Sequence, residues 1–220
     1  MIYITGDTHG THDIGKLLPF TFQHLTHEDL LIIAGDVAIC WDEDRLPGMI
    51  ELYRKFKCTV AFIDGNHENF DMLNRFPIVD FHGAKAHQLD DHIFHILRGE
   101  IFEYNSKTFL CIGGAVSIDK EYREEGISWW KEENITEEDI ENARKNLERY
   151  DNRVDYVITH CCDSYTVKRA FRFNSDDSTD KLNFIDEGIA YEHWYFAHYH
   201  FDQVVDYRKT CLYQRIVEIE

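Results

Sequence analysis

The sequence predicts an α/β fold with a parallel sheet in its first half and a second sheet in its remainder. Three observations predict it. Short apolar runs alternate with helical patterns as far as Ile63. The middle of the chain then changes to short strand-like runs separated by turn residues. Small clusters of carboxylate, imidazole and amide side chains follow the strand-like runs, at the strand ends where open α/β sheets bind ligands.

Met1–Thr5 reads as a strand, with a short helix following around Asp13–Leu18. Leu30–Ala34 is a buried strand. Leu46, Met49, Ile50, Tyr53 and Phe56 fall on one helical face, with Asp44 as N-cap and Pro47 in the first turn. Thr59–Ile63 completes a β-α-β-α-β pattern, which implies parallel strands and right-handed crossovers. Ile93–Leu97, Ile101–Tyr104 and Thr108–Ile112 read as an antiparallel meander, turning at sites that include Asn105-Ser106. After a polar stretch holding Trp129-Trp130, Thr136 caps a helix. Glu137, Glu138 and Asp139 favour its N-terminal dipole, and Ile140, Ala143, Leu147 and Tyr150 face the core. Val154–Thr159 is a strand, a long polar loop follows, and Trp194–Ala197 is another. A final hairpin of Val204–Tyr207 and Leu212–Val217, turning at Lys209-Thr210, is expected to extend the second sheet.

The 220 residues, 44% hydrophobic, suffice for one domain with a large core. There is no repeat, low-complexity segment or Pro/Gly-rich linker, so residues 1–220 are read as a single domain. The apolar runs are too short to cross a bilayer, and no basic leader precedes Met1-Ile2-Tyr3-Ile4-Thr5. A cytoplasmic protein without a membrane partner is expected. Six cysteines with no CxxC pair read as reduced thiols. Cys58 and Cys111, within apolar runs, read as small buried hydrophobes.

A formal net charge of −18 argues against long nucleic acid as a partner, because a polyanion binder presents a basic face. A metal pocket differs from the exterior. Two dications outweigh two aspartates and a hydroxide, and screening confines distant charge to about 8–10 Å. A small phosphate ester is compatible with both.

The clusters are Gly6-Asp7-Thr8-His9-Gly10, Gly35-Asp36, Gly65-Asn66-His67-Glu68, Thr159-His160 and Ala197-His198-Tyr199-His200. Oxygen and nitrogen donors without thiolate suit Mn, Fe or Zn. Any one cluster alone is weak; all of them in order, at strand ends, form a specific signal. The set resembles the calcineurin-like metallophosphoesterase superfamily, whose pattern runs D-x-H, G-D, G-N-H-E/D, a single His, and G-H-x-H. The stretch Gly113–Lys120, with Arg123 and Trp129-Trp130, is similar to one in small bacterial and phage members.

The resemblance implies a four-layer α/β/β/α sandwich of two mixed sheets with flanking helices, and two divalent transition metal ions at strand C-terminal ends. One ion takes Asp7, His9, Asp36 and His200; the other takes Asp36, Asn66, His160 and His198, with Asp36 bridging. A metal-bridging hydroxide attacks phosphorus. His67 stands beside the ions to protonate the leaving oxygen or stabilise phosphate charge. Glu68, Asp36 or a backbone carbonyl orients it. Asn66 and Arg123 are the candidate substrate contacts; Lys168, Arg169 and Arg172, shortly after His160, read as a solvated helix face, with contact to phosphate as the alternative.

Two departures shape the reading. Ala197 replaces the usual Gly, which excludes a backbone needing positive φ there. Gly35-Asp36-Val37-Ala38-Ile39 lacks the Asp-Arg-Gly continuation of protein serine/threonine phosphatases and the tyrosine ligand of purple acid phosphatases. The expected activity is hydrolysis of a small phosphomonoester or phosphodiester. A nuclease or protein phosphatase on the same centre is the rival enzyme; a catalytically silent metal-binding interaction protein is the rival from another class. His12, His24, His27, His82, His87, His92, His95 and His193 are expected at the surface.

Overall fold

The computed structural model describes residues 1–18 and 25–219; His24 lies outside them. Strands β1 (Ile2–Thr5), β2 (Leu30–Ala34) and β3 (Thr59–Ile63) pair in parallel. Every residue of β1 and β2 is buried, hence runs that are apolar throughout rather than alternating. Helix α1 (Leu46–Arg54) connects β2 to β3 and buries Met49 and Tyr53. Asp44 is not its cap. Arg45 holds that position without a side-chain bond. The preceding turn belongs to Asp42, whose carboxylate accepts from the Asp44 N–H at 2.8 Å. Helix α2 (Phe70–Leu73) follows β3, capped by Asn69.

The meander is replaced by a switch between sheets. Strand β6 (Ile93–Ile96) lies parallel to β3 in the first sheet. It pairs antiparallel with β5 (Ala84–Asp90), which pairs with β4 (Ile78–Phe81). Sequence reading missed β4 and β5, because Lys85, His87 and Gln88 break the apolar pattern. After β6, Arg98 is anchored on Asp64 by ion pairing at 2.5 Å. That anchor carries the chain across to the second sheet instead of reversing it. There β7 (Glu100–Tyr104) and β8 (Lys107–Ile112) form the expected hairpin. Asn105 (φ 50°) and Ser106 (φ 63°) occupy its left-handed turn positions.

Helix α3 (Glu137–Glu148) starts at Thr136 with a capping box, as read from sequence. Strands β9 (Tyr156–Thr159) and β10 (His193–Phe196) extend the second sheet in parallel from β8. Strands β11 (Gln203–Val204) and β12 (Lys209–Cys211) close its far edge as a hairpin. Lys209 and Thr210 are strand, not turn. Lys209 is buried on Asp163 (2.7 Å) and also pairs with Asp186. The last run, β13 (Val217–Ile219), returns to the first sheet, antiparallel to β1.

The strand orders are β13-β1-β2-β3-β6-β5-β4 and β11-β12-β10-β9-β8-β7. Three apolar clusters show the layering. Ile4, Ile32, Ala61, Phe109 and Ile158 fill the space between the sheets. Tyr3, Leu31, Phe62, Met49 and Tyr53 seal α1 to the first sheet, and Leu110, Val157, Trp194, Ile140 and Leu147 seal α3 to the second. The result is the expected four-layer sandwich of mixed sheets. No described helix is long and apolar enough to cross a membrane. All six cysteines are buried free thiols.

Candidate metal centre

The loops that leave β1, β2, β3, β9 and β10 meet in one place. Several ligand residues adopt left-handed backbone conformations to do so: His9 (φ 41°), Asp36 (49°), His198 (71°) and His200 (55°). Such conformations cost energy in non-glycine residues and concentrate at functional sites. Ala197 is absent from the positive-φ set. The turn falls on the histidines either side of Tyr199, so alanine is tolerated where the family has glycine. Two glycines set how closely the loops approach. A Cβ on Gly35 (φ 98°) would lie 2.2 Å from His160 Nδ1, and one on Gly65 would lie 2.0 Å from Asp36 Oδ1.

Asp7, His9, Asp36 and His200 each offer a donor atom, all within 4.8 Å of one another. The remaining assigned ligands join them through Asp36. His160 Nε2 lies 3.3 Å from Asp36 Oδ1 and 3.2 Å from Asn66 Oδ1. The His198 ring sits 5.0 Å from that of His160. Supporting bonds aim these groups. His160 Nδ1–H donates to the Ala34 carbonyl at 2.8 Å, which leaves Nε2 facing the site. His9 Nδ1–H donates to Asp13 at 2.7 Å with the same effect. Asn66 Nδ2 donates to Ser117 Oγ at 3.0 Å, turning its carbonyl oxygen inward, and Ser117 in turn donates to Glu133.

The donor set fits cations on two grounds. Among the described residues, Asp7 Oδ2 and Asp36 Oδ2 are the buried side-chain oxygens without a well-aligned hydrogen-bond donor, although His200 Nε2 lies 3.4 Å from the first and His9 Nε2 3.2 Å from the second. Orphaned carboxylate oxygens at full burial are costly unless a cation meets them. The electrostatics agree. Burial pushes Asp7 up to about 6. Asp36 is also raised by burial, but His160 and His9 overcome this and hold it well below the usual carboxylate range. Burial would lower His9 and His160, yet the aspartates raise each to about 9. The carboxylates thus draw positive charge into the site, a demand that divalent cations satisfy by displacing those protons. His198, buried beside His160, is driven down to about 3, so it stays a neutral donor.

His67 sits next to this set, its backbone N–H donating to Asp36 Oδ1 at 2.8 Å. Burial lowers its pKa, and Arg123 Nη2 donates to its Nε2 at 3.2 Å. Arg123 is itself held by Asp119 at 2.8 Å. Glu68 does not orient the His67 ring. Its carboxylate accepts from the N–H groups of Val37 (2.7 Å) and Ala38 (3.1 Å), fixing the loop that presents Asp36. Trp130 is not a stacking platform; it is buried, and its indole N–H donates to Asp71 at 3.0 Å. The basic group divides. Lys168 and Arg169 are exposed on a π-helical turn, Val167–Phe171, whereas Arg172 lines the same cleft as Asp36, Asn66, His67 and Arg123.

His87 and His95 are buried rather than exposed. They bond to each other at 3.1 Å, and His95 Nε2 meets Asp64 at 3.1 Å. With Arg98 they form a polar chain directly behind Gly65-Asn66. Sequence reading missed Asp64, Asp13, Lys16, Ser117 and Glu133. The last two lie in or after the Gly113–Lys120 stretch, and Asp13 lies one helical turn beyond His9. Those were the available signals.

A family model for calcineurin-like phosphoesterases matches residues 1–202, and the chain belongs to that family. Metal-dependent hydrolysis of phosphoesters is the family's general chemistry. No curated protein matches the sequence. Among solved structures, the phosphopantetheinyl hydrolase PptH from Mycobacterium tuberculosis aligns at TM-score 0.49 and 15% identity, over 96% of this chain and 87% of that one. A protein of unknown function, AQ665 from Aquifex aeolicus, aligns at TM-score 0.38 and 16% identity, over 84% and 92%. Neither likeness bears on substrate.

Proposed function

We propose that residues 1–220 form one domain that hydrolyses a small phosphomonoester or phosphodiester at a dinuclear metal centre. The observation that carries this reading is the convergence of Asp7, His9, Asp36, Asn66, His160, His198 and His200 around two buried aspartate oxygens that lack a well-aligned hydrogen-bond donor. Mn, Fe or Zn fits the donors. Bound there, the ions supply Lewis acidity toward water and phosphate oxygen.

The chain's own residues do the rest. Asn66, locked by Ser117, and Arg123, steadied by Asp119, face the cleft and receive phosphate oxygens. The guanidinium donates to His67 Nε2, so the imidazole is neutral in this arrangement. A phosphate arriving between them takes over that donor and adds negative charge, and both changes favour the imidazolium. His67 then delivers a proton to the departing oxygen as its bond to phosphorus breaks. The net charge of −18 supports a small substrate over long nucleic acid.

The test is a panel of phosphomonoesters, cyclic nucleotides and nucleotide diesters, offered to protein loaded with each metal. His67→Ala is expected to keep its metals and lose turnover by about 10²–10⁴-fold. Undiminished turnover in that variant defeats the assigned role.

A further inference from the structure

His67 lines two cavities. The larger, about 690 Å³, holds Asp36, Asn66, His198 and His200 together with Arg123 and Arg172. The smaller, about 300 Å³, is walled by His9, Ala38, Ile39, Trp41 and Met49, with Arg45 among its lining residues. They differ in chemistry. Arg172 makes no ion pair among the described residues, so the larger cavity keeps a free cation. In the smaller one Arg45 faces Asp42, 3.8 Å from Nε to Oδ2, and the two charges offset each other. Ile39 and Met49 are buried members of the core that seals α1 to the sheet.

The Trp41 wall is braced in advance. Its ring stands edge-on to Trp130 at 5.8 Å and 76°, and Asn69 Nδ2 donates to its carbonyl at 3.3 Å. Its ring centroid lies 6.3 Å from that of His67. A flat ring entering here meets Ala38, Ile39, Met49 and the Trp41 indole, while the polar lining comes from His9, Thr11, His12 and the Arg45–Asp42 pair. The residues concerned are those with which this chain continues past Gly35-Asp36, where protein phosphatases continue with Asp-Arg-Gly.

We propose that the smaller cavity is the subsite for the departing alcohol of the ester, and that this alcohol bears a flat aromatic ring. The inference rests on the phosphohydrolase reading. The phosphoryl group lies in the larger cavity against the ligands and Arg123. The ring lies against Trp41, and His67 stands at the junction, beside the oxygen between them. The volume is at the lower end for ligand sites and admits one or two fused rings.

The experiment compares naphthyl phosphate with trifluoroethyl phosphate, in metal-loaded wild type, Trp41→Ala and Trp41→Leu. Trp41→Leu keeps apolar bulk without an aromatic face, and thermal melts of both variants verify folding. The ratio of kcat/KM for the aryl ester over the alkyl ester is expected to fall about tenfold in Trp41→Ala, chiefly through KM, and less in Trp41→Leu. Naphthol is expected to inhibit the wild type competitively and Trp41→Ala more weakly. An unchanged ratio in both folded variants overturns the subsite while leaving the hydrolase standing. Turnover of neither ester, nor of any monoester or diester of the wider panel, by metal-loaded wild type takes down both readings.

Discussion

Gly35 and Gly65 show how much of the centre depends on the absence of a side chain. Each brings one ligand loop against a residue of another, with no space for a single carbon. Gly35 also sits at φ 98°, where an L-residue costs about 1–3 kcal/mol before any clash. Gly35→Ala is therefore expected to lose stability by at least that amount and to displace His160. Denaturant melts and metal stoichiometry read the two effects; a variant with wild-type stability and two bound metals refutes the packing argument. At this scale the residues that converge were legible as candidate ligands because their chemistry is written in their types and order. Their supports were not. Ser117, Glu133 and Asp13 act through distances that no local spacing reveals, and Glu68 looked like a partner for its neighbour His67 while reaching instead to Val37 and Ala38.

Among the elements, β5 and β6 carry the least legible feature, a buried pair of histidines facing each other across antiparallel strands. Burial and the nearby His95 push His87 from its ordinary 6.5 down to about 4. A base whose folded pKa is depressed is protonated first in the unfolded chain. Between about 6.5 and 4 the unfolded state binds the extra proton, so His87 removes stability as pH falls through that window. The midpoint of urea unfolding is expected to fall across this range in wild type and to fall less in His87→Asn. Equal slopes in the two proteins rule His87 out as the source. The pair escaped sequence reading because two histidines in a polar stretch are usually solvated. Their burial is offset by Asp64, just past β3, which partners His95 and is itself ion-paired with Arg98. The same Arg98 anchor explains why β6 and β7, close in sequence, belong to different sheets.

For the molecule as a whole, the layer architecture followed from the alternation of apolar runs, and the positions of the ligand blocks followed from strand ends. What alternation could not supply was the path between sheets, which depends on long-range contacts such as Arg98 with Asp64; nor could it show the strand at Lys209, which is held by Asp163 and Asp186. The centre couples directly to global stability, since cations that bind only the folded chain stabilise it. Metal at a hundred times its Kd adds about 2.7 kcal/mol. For a chain of this size, that raises Tm by about 5–10 °C. Calorimetry on chelator-treated and reloaded protein is expected to show the rise in wild type and its loss in Asp36→Asn. An identical rise in both places the ions elsewhere.

The pairing of Ile2 with Ile219 has a bearing on biosynthesis. Strand β1 acquires its outer neighbour only when residues 217–219 have left the ribosome. The same tail accepts hydrogen bonds from Thr5, through the Arg215 carbonyl, and from Lys16, through that of Tyr213. Until those residues are made, β1 keeps an open, apolar sheet margin. The candidate ligands Asp7 and His9, which follow β1, wait for residues 213–219 before their loop is held in place.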